Sequence, residues 1–311
     1  MIKRILCIGV AAFCLLLGGC AESSTVTEGT QVTPPFWSVN DESTGATLYL
    51  LGTMHAVQPD IVYPDHIMEA YRSCDTVALE LDLDDMEDAA KAAPLLLYGD
   101  GMTAEQCLGD KYAPTVEFMK SKGLYESYLD SYIPYYWTSV FSVKLTEECG
   151  LSTDNGTDAY FLSLAKKDGK EIVELESFCF QYGMMADIPM ELQLMALSEC
   201  VGEENYQLQL DSTAELYRSW STFDEAALSE LELFEEIPDG LEAQCDEMLE
   251  LMYNSRQRDM AQKAIDYLQN GKDLFLFVGA AHFYIGEDII TLLTDAGYTP
   301  VAVRAEAQQA A

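Results

Sequence analysis

The sequence predicts an α/β protein whose mixed central sheet is built from both ends of the chain and carries a large helical insert. Short apolar strands are indicated near the two ends, whereas the middle of the chain has helical periodicity. With 311 residues, of which 49% are hydrophobic, the chain has room for one large domain or two small ones and for a substantial core. We therefore expect a globular protein rather than a disordered one.

The first twenty residues have the three parts of an export signal. Lys3 and Arg4 supply a positive start, residues 5–17 are apolar, and small residues then lead to Cys20. The pattern is similar to a bacterial lipobox; a plain signal peptide and a short membrane anchor are the alternatives, although the apolar run is short for a membrane span. We expect acylation of Cys20, a polar tether over residues 21–33, and a location at the cell membrane, lipid-anchored on its extracytoplasmic face.

The folded domain is expected over residues 34–305 and opens with a β-hairpin. Residues 34–39 enter the fold as a strand, residues 40–45 are polar turn formers, and residues 46–51 form the second strand. This pairing would start the sheet at the amino-terminal end of the domain.

A helix and another strand follow the hairpin. Pro64 starts the helix, and residues 76–83 return to a strand. A βαβ unit of this kind predicts a parallel pair, so the strand that carries Glu80 is expected beside the second strand of the hairpin. Alternation with period two places Glu80 and Asp82 on the same strand face as Ala78.

Helical insertions at about 85–150 and 190–270 separate the two ends of the sheet. The aromatic run at 132–143 is expected to pack in a helical core rather than to form a ligand site. The remaining predicted elements are a helix at 160–167 with Gly169 as its stop, a strand at 171–176, a helix at 256–268, a strand at 274–278, a helix at 289–296 with Gly297 as its cap, and a closing strand at 299–303.

Acidic residues dominate the charge of the chain. There are 53 Asp and Glu against 17 Lys and Arg, for a formal net charge of −36, which becomes about −38 when Lys3 and Arg4 leave with the signal. Such a surface repels nucleic acid and anionic lipid headgroups, so we expect no nucleic-acid partner. Most of this charge is expected to serve solubility, and divalent metals or cationic peptides are the partners that it would attract.

Six cysteines remain after removal of the signal and acylation of Cys20. The spacing contains no Cys-x-x-Cys pair and suggests no zinc knuckle, and it leaves both disulfides and buried free thiols open. The six are Cys74, Cys107, Cys149, Cys179, Cys200 and Cys245.

Two of the three histidines end the same four-residue pattern directly after an apolar strand. Gly-x-x-His occurs at positions 52–55 and again at 279–282. A glycine lets the backbone turn sharply, and the histidine three residues later can then point across the carboxyl edge of the sheet, where open α/β folds bind ligands. We therefore expect both imidazoles at one metal or substrate site, whereas His66 is placed on a helix surface.

Glu80 would complete a metal site with these two histidines. Two imidazoles and a carboxylate are a usual ligand set for a divalent first-row metal and leave positions open for water and substrate. Such an ion would support hydrolysis of an amide or ester, with Glu174 or Glu176 as a base or an orienting group. In the competing interpretation, Glu80 is solvated on a wetted strand face and the histidines are structural.

Taken in order, the motifs resemble the TraB/GumN family, which includes the Tiki proteases and the pheromone-shutdown proteins of conjugative plasmids. That group is distantly similar to ChaN-type and erythromycin-esterase-type folds. The resemblance runs from Pro35 to about Val303 and covers most of the chain. It is carried by Trp37 and by residues 49–55, 79–82, 156–162, 165–170, 174–176 with Gln181, Arg256 with 260–261, and 278–282.

The resemblance implies a metal-dependent hydrolase, and we expect Mn²⁺, Co²⁺ or Zn²⁺ as its metal. Because the Tiki branch has a manganese- or cobalt-supported protease activity, the expected substrate is a peptide or a small protein. The resemblance also implies that His55, Glu80 and His282 form the active centre. We expect these three to be the metal ligands, Glu176 to be the base or orienting group, and Asp158 and Arg256 to shape the site.

Two departures from the family pattern bear on this interpretation. Arg256-Gln257 stands where the family usually has Arg-Asn, which puts an asparagine-dependent contact in doubt, and the acidic insert at 84–150 matches no motif. The alternative function is a non-catalytic, membrane-tethered protein that sequesters a peptide signal, as the pheromone-shutdown relatives suggest. A third hypothesis, which rests only on analogy of fold, is that the protein is an esterase that acts on small lactones.

Overall fold

The central sheet is mixed and has six strands, as predicted. The structure, a computed structural model, describes residues 29–304 except 235 and 238, so the predicted signal and Cys20 lie outside the described residues. The strands are β1 (Thr30–Gln31), β2 (Phe36–Asn40), β3 (Thr47–Thr53), β4 (Ile61–Val62), β5 (Thr76–Leu79), β6 (Glu171–Glu174), β7 (Leu274–Gly279) and β8 (Val301–Ala302).

Both ends of the chain contribute to this sheet. Its strand order is β6-β5-β7-β3-β2-β8, with β6, β5, β7 and β3 parallel and β2 antiparallel to both of its neighbours. The predicted hairpin is confirmed, because β2 and β3 pair from Phe36 with Leu51 to Asn40 with Thr47. Separately, β1 pairs with β4, so residues at the end of the predicted tether pack on the domain.

The predicted adjacency of β3 and β5 is wrong. The two strands are parallel, but β7 lies between them and pairs with both. Five successive apolar side chains of β7, from Leu274 to Val278, are fully buried, and a strand of this kind is stable at the centre of a parallel sheet with both faces covered. The two strands that end in Gly-x-x-His are therefore direct neighbours.

The strand that carries Glu80 is shorter than predicted. It ends at Leu79, and Leu81 then packs in the same core as Ala78 instead of continuing the alternation of Val77 and Leu79. The turn is held in part by the side chain of Glu174, which accepts a hydrogen bond from the backbone N–H of Asp82 at 3.0 Å. Glu80 therefore lies at the carboxyl end of the sheet rather than within it.

Helices cover both faces of the sheet. They are α1 (Asp65–Ser73), α2 (Met86–Ala92), α3 (Ala104–Leu108), α4 (Tyr112–Ser121), α5 (Pro134–Glu148), α6 (Thr157–Asp168), α7 (Phe178–Ala186), α8 (Met190–Ser198), α9 (Glu203–Ser221), α10 (Glu225–Leu228), α11 (Glu242–Leu249), α12 (Ser255–Gln269) and α13 (Ile289–Asp295). Residues Glu250–Asn254 between α11 and α12 form a turn of π-helix. Both predicted insertions are thus helical.

Two hydrophobic cores flank the sheet. On one face, Phe275 and Phe277 of β7 pack with Phe161 of α6 and Tyr71 of α1. On the other face, the helical insertions form the larger core, in which Trp137 of α5 is fully buried. The aromatic run at 132–143 is therefore helix packing, as the sequence predicted.

The structure also bears on the predictions for the cysteines, for His66 and for membrane-spanning helices. All six cysteines within the described residues are free thiols. His66 is half-buried on α1, with its ring 5.8 Å from that of Phe36, so it is not a freely exposed surface residue. In the described part of the chain, none of the helices combines the length and apolar character that crossing a bilayer requires.

Candidate active site

The two Gly-x-x-His turns lie side by side at the carboxyl edge of the sheet. Gly52 pairs with Val278 and Thr53 with Gly279, so the two motifs leave the sheet at the same level. The first histidine follows in a loop against the start of α6, and the second lies in a 3-10 turn, Ala280–Phe283. Adjacent parallel strands thereby deliver both imidazoles to one edge.

The motif glycines are needed for close approach rather than for a left-handed turn. Neither has a positive φ, so a left-handed backbone conformation is not what requires glycine at these positions. A Cβ on Gly52 would lie 3.2 Å from the Cα of Ala280, and a Cβ on Gly279 would lie 3.3 Å from Oε1 of Glu80. The small residue thus lets the two turns pack together and makes room for the carboxylate.

His55 is held by a buried carboxylate. Its Nδ1 lies 2.7 Å from Oδ2 of Asp158 at the first turn of α6, and Thr53 donates a hydrogen bond of 2.7 Å to Oδ1 of the same aspartate. Burial alone would lower the pKa of His55, but Asp158 outweighs it and raises the pKa to about 9. The metal-free imidazole is therefore a cation at neutral pH, with Nδ1 oriented by Asp158.

His282 has the opposite electrostatic surroundings. Burial, followed by the positive charge of Arg256, lowers its pKa to about 3, so its imidazole is neutral at physiological pH. Its Nε2 lies 3.7 Å from Oε1 of Glu80, too far for a hydrogen bond, and the ring of Tyr253 packs 5.5 Å away. Its buried Nδ1 has no hydrogen-bond partner among the described residues.

Glu80 is buried and hydrogen-bonded, which rules out the solvated-face interpretation. Its side chain is 11% exposed; Oε1 accepts a hydrogen bond of 2.8 Å from the backbone N–H of Gly279, and Oε2 accepts one of 2.8 Å from Arg256. Burial alone would raise the pKa of Glu80, but Arg256 keeps it low, so the group is a carboxylate. A buried charge of this kind persists only when it is paired.

Arg256 also binds Glu176. Its Nε donates to Oε1 of Glu176 at 2.6 Å and its NH2 to Oε2 at 2.8 Å, while Gln181 donates to both carboxylates, at 3.1 Å to Glu80 and 2.7 Å to Glu176. Burial raises the pKa of Glu176, although Arg256 opposes this. One guanidinium thus holds two carboxylates from adjacent strand ends, a bidentate geometry that lysine cannot provide.

The sequence matches a known family over most of its length. A family model for the TraB/PrgY/gumN family matches residues 35–302. The chain belongs to the TraB/PrgY/gumN family. Comparison with curated proteins and with solved structures found no match. The more distant likeness to ChaN-type and erythromycin-esterase-type folds therefore stays a prediction.

Gln257 makes its own contacts in this member of the TraB/PrgY/gumN family. Its side-chain amide donates to the backbone carbonyl of His282 at 3.0 Å and to that of Ile285 at 2.8 Å, and the residue is fully buried. The glutamine that departs from the usual Arg-Asn pattern thereby fixes the turn that carries His282.

A small cavity joins these groups. It has a volume of about 40 Å³, which corresponds to roughly three water molecules. Its walls contain His55, Glu80, Gln181, Met184, Met185, Met252, Tyr253, Arg256, Gly279, Ala281 and His282. Asp158 and Glu176 are not on the wall; each contacts a residue that is.

The donor chemistry of this cavity suits a divalent ion. Two ligands about 2 Å from one cation lie no more than about 4 Å apart, and the distance of 3.7 Å from Nε2 of His282 to Oε1 of Glu80 meets that limit. His55 lines the same cavity. Within residues 29–304, leaving aside 235 and 238, no group of three or more His, Cys, Asp or Glu side chains has the arrangement of a metal site. The structure therefore supplies a ligand pair, Glu80 and His282, with a second imidazole, that of His55, on the same wall.

The structure brings together all six predicted site residues that it describes. Asp158 and Glu176 contact His55 and Arg256 respectively, while Glu174 turns to the backbone of Asp82 and leaves the site. Sequence reasoning did not name Gln181, Tyr253 or Gln257 as site residues. Gln181 and the pair Arg256-Gln257 do lie in the motifs that carry the family resemblance. Tyr253 lies in none of them, and its position in the site depends on the π-helical turn.

Proposed function

We propose that this protein is a metal-dependent hydrolase, acting as a peptidase at the outer face of the cell membrane. The observation that carries the proposal is the pairing of a neutral imidazole, His282, with an ionised carboxylate, Glu80, at a separation that one cation can bridge. His55 would supply the third ligand. Mn²⁺, Co²⁺ or Zn²⁺ would, when bound, polarise a carbonyl and lower the pKa of a water.

The surrounding side chains have distinct parts in this proposal. Asp158 binds Nδ1 of His55 and so presents Nε2 to the cavity, the usual role of a carboxylate behind a metal-binding histidine. Arg256 and Gln181 fix the orientation of Glu80 and keep it ionised. Glu176 has both oxygens bound by these two residues, which favours orienting Arg256 over direct proton transfer.

Metal content and peptide hydrolysis test the proposal. The full-length chain in neutral detergent should retain a divalent ion after gel filtration, measured by elemental analysis, and should cleave a mixed peptide library detected by mass spectrometry. His55→Ala and His282→Ala should lose both properties. The matched control is His66→Ala, which removes the remaining histidine on α1. Unchanged metal content in both site variants would end the proposal.

A proton-release measurement gives a second readout. Because His55 is protonated in the metal-free protein, metal binding must release its proton. Titration calorimetry of Mn²⁺ or Zn²⁺ in two buffers of different ionisation enthalpy should therefore show about one proton released, and none in His55→Gln.

A non-catalytic peptide binder is the second candidate. It is favoured by one observation: in the described residues Arg256 and Gln181 already occupy Oε2 of Glu80, and three metal ligands do not converge. In this case the membrane-tethered protein would sequester a peptide signal and return it intact. Mass spectrometry of the peptide after incubation separates the two candidates, since only a peptidase yields fragments.

The membrane location is part of the same proposal. Acylation of Cys20 after export would hold the domain outside the cytoplasm without a transmembrane helix. Labelling of cells with a fatty-acid analogue should mark the wild-type chain, whereas Cys20→Ser should be unlabelled. Labelling that persists in Cys20→Ser would contradict the predicted anchor.

A further inference from the structure

The cavity is much smaller than any peptide. A volume of about 40 Å³ accepts only the group that reacts, with a few waters. On the proposed function, the rest of a substrate must therefore lie on the surface around the cavity, and that surface determines which peptides bind.

Exposed apolar side chains lie on α7 and on the segments that pack against it, and α7 also contributes to the cavity wall. Met184 lines the cavity, and Phe180 lies one turn earlier on the same helix face and is 49% exposed. In the segments that pack against α7, Met86 at the start of α2 is 57% exposed, and Leu95 in the 3-10 turn after α2 is 42% exposed. We call Met86, Leu95, Phe180 and Met184 the α2/α7 rim.

The elements of this rim are held together by direct contacts. The α2 helix and its following 3-10 turn both pack against α7. Asp88, in the first turn of α2, accepts a hydrogen bond of 3.2 Å from the backbone N–H of Cys179, in the first turn of α7. The exposed side chains of Met86 and Phe180 therefore belong to neighbouring helix ends.

The chain beside the rim is strongly acidic. Five of the seven residues from 82 to 88 are Asp or Glu. Two lysines pair with this segment: Lys166 binds Asp82 and Asp84, and Lys91 binds Glu87. The remaining charge is negative, in keeping with the net charge of −36 for the chain.

At the inner end of the rim there is an unsatisfied polar group. His282 lines the cavity, is 4% exposed, and has a buried Nδ1 without a hydrogen-bond partner in the described ranges. Buried polar atoms of this kind are normally paired. Met184 is the member of the rim that lines the cavity, and Met86 lies within the acidic segment 82–88.

We infer that the α2/α7 rim binds the chain of a substrate peptide that is both apolar and basic, and directs it to the His282 cavity. Phe180 and Met86 would contact its apolar side chains, and the acidic segment 82–88 would attract its Lys or Arg side chains. Acidic peptides would be rejected by the same charge.

Binding of synthetic peptides tests this without any turnover. The probe is a fluorescent twelve-residue peptide of Leu, Phe and Lys, compared with a peptide in which every Lys is replaced by Glu. With the EDTA-treated full-length chain in neutral detergent, fluorescence anisotropy should show binding of the basic peptide only. Its affinity should fall about tenfold between 0.05 and 0.5 M NaCl, because exposed charges are screened.

Matched variants locate the binding surface. Phe180→Ala should weaken binding of the basic peptide by about tenfold, as expected for an aromatic anchor, whereas Val301→Ala, a truncation of an exposed residue on β8 at the opposite edge of the sheet, should not. The double variant Asp84→Asn/Glu87→Gln should reduce the salt dependence. Glu204→Gln/Asp211→Asn, two exposed acids on α9, is its control.

Crosslinking of the unmodified protein keeps the test independent of variant folding. A benzophenone-labelled basic peptide should crosslink to residues of α2 and α7, mapped by mass spectrometry. Equal binding of the acidic peptide, crosslinks confined to other elements, or self-association of the chain that Phe180→Ala abolishes would each overturn the inference. If the basic peptide binds as described but is not cleaved, only the peptidase proposal is contradicted. If cleavage depends neither on Phe180 nor on the charge of the peptide, only this inference is contradicted.

Discussion

The same residue type has two different charge states within one small site. Asp158 raises the pKa of His55 to about 9, while burial and Arg256 lower that of His282 to about 3. A sequence pattern that repeats at 52–55 and 279–282 thus produces two imidazoles with opposite pKa shifts, because the neighbouring charges differ. On the proposed function, His282 would bind a cation without losing a proton, whereas His55 would have to lose one first.

Replacing Asp158 by asparagine should weaken metal binding. The amide cannot hold Nδ1 of His55 as the carboxylate does, and loss of such a supporting carboxylate costs about 10-fold to 100-fold in metal affinity. Titration calorimetry with Mn²⁺ or Zn²⁺ measures the change. Asp154→Asn, an exposed acid just before α6, is the charge-matched control. An unchanged affinity in Asp158→Asn would contradict the role given to this residue.

Replacing Gly279 by alanine should disturb Glu80. The added Cβ would lie 3.3 Å from Oε1 of that carboxylate, and it would press on the group that also accepts the hydrogen bond from the backbone N–H of residue 279. We expect about a tenfold loss of metal affinity with little loss of fold, measured by calorimetry and circular dichroism. Gly183→Ala is the control, since a Cβ there meets nothing within 4 Å.

At the scale of elements, the site depends on contacts between segments far apart in the chain. The loop before His55 rests on the start of α6, where Thr157 donates its backbone N–H to the carbonyl of Met54 at 3.0 Å. On the other side, Gln257 of α12 holds the turn of His282. The turn that carries His55 is thus held by α6, and the turn that carries His282 is held by α12.

The contact between α6 and the first turn gives a prediction for Gly156. A Cβ at this position would lie 2.2 Å from the backbone oxygen of His55, so the loop or the helix must shift. Gly156→Ala should lower the free energy of unfolding by about 2 kcal/mol, measured by urea denaturation, and should weaken metal binding as well. In Gly99→Ala, where a Cβ meets nothing within 4 Å, neither quantity should change by a comparable amount.

At the scale of the whole molecule, an acidic surface and a buried ionic group have to be distinguished. The surface carries most of the net charge of −36, whereas Glu80, Glu176 and Arg256 form a compact buried group. Such a group is retained only while every member is paired, so loss of one partner costs more than the whole group contributes.

The free energy of unfolding of the metal-free protein should depend on both histidines. His55 has a folded pKa of about 9 against 6.5 unfolded, so its contribution is complete below pH 6.5 and is lost as the pH rises to 9. His282 has a folded pKa of about 3, so its contribution is complete above pH 6.5 and is lost as the pH falls toward 3.

Urea denaturation in EDTA at several pH values between 4 and 9.5 checks this dependence. Relative to wild type, His55→Ala should flatten the alkaline side and His282→Ala should flatten the acid side. His66→Ala, whose half-buried ring lies on α1, should leave the alkaline side intact. The same slope in all four proteins would contradict the assigned charge states.

Much of the local structure was accessible from the sequence. Apolar alternation and turn residues placed the hairpin of β2 and β3, and helical spacing placed α12 and both insertions, because these features depend on neighbours in the chain. The repeated Gly-x-x-His and the acid at position 80 indicated one site at the carboxyl edge, and the motifs that carry the resemblance contain all six predicted residues of this site.

The sequence by itself determined the class of fold, the family and the residue types that the site uses. Only the tertiary structure decided that β7 inserts between β3 and β5, that Arg256 joins Glu80 to Glu176, and that His55 and His282 differ in charge. The physical reason is that periodicity reports which face of an element is buried, whereas strand order and pKa depend on partners that are distant in the chain.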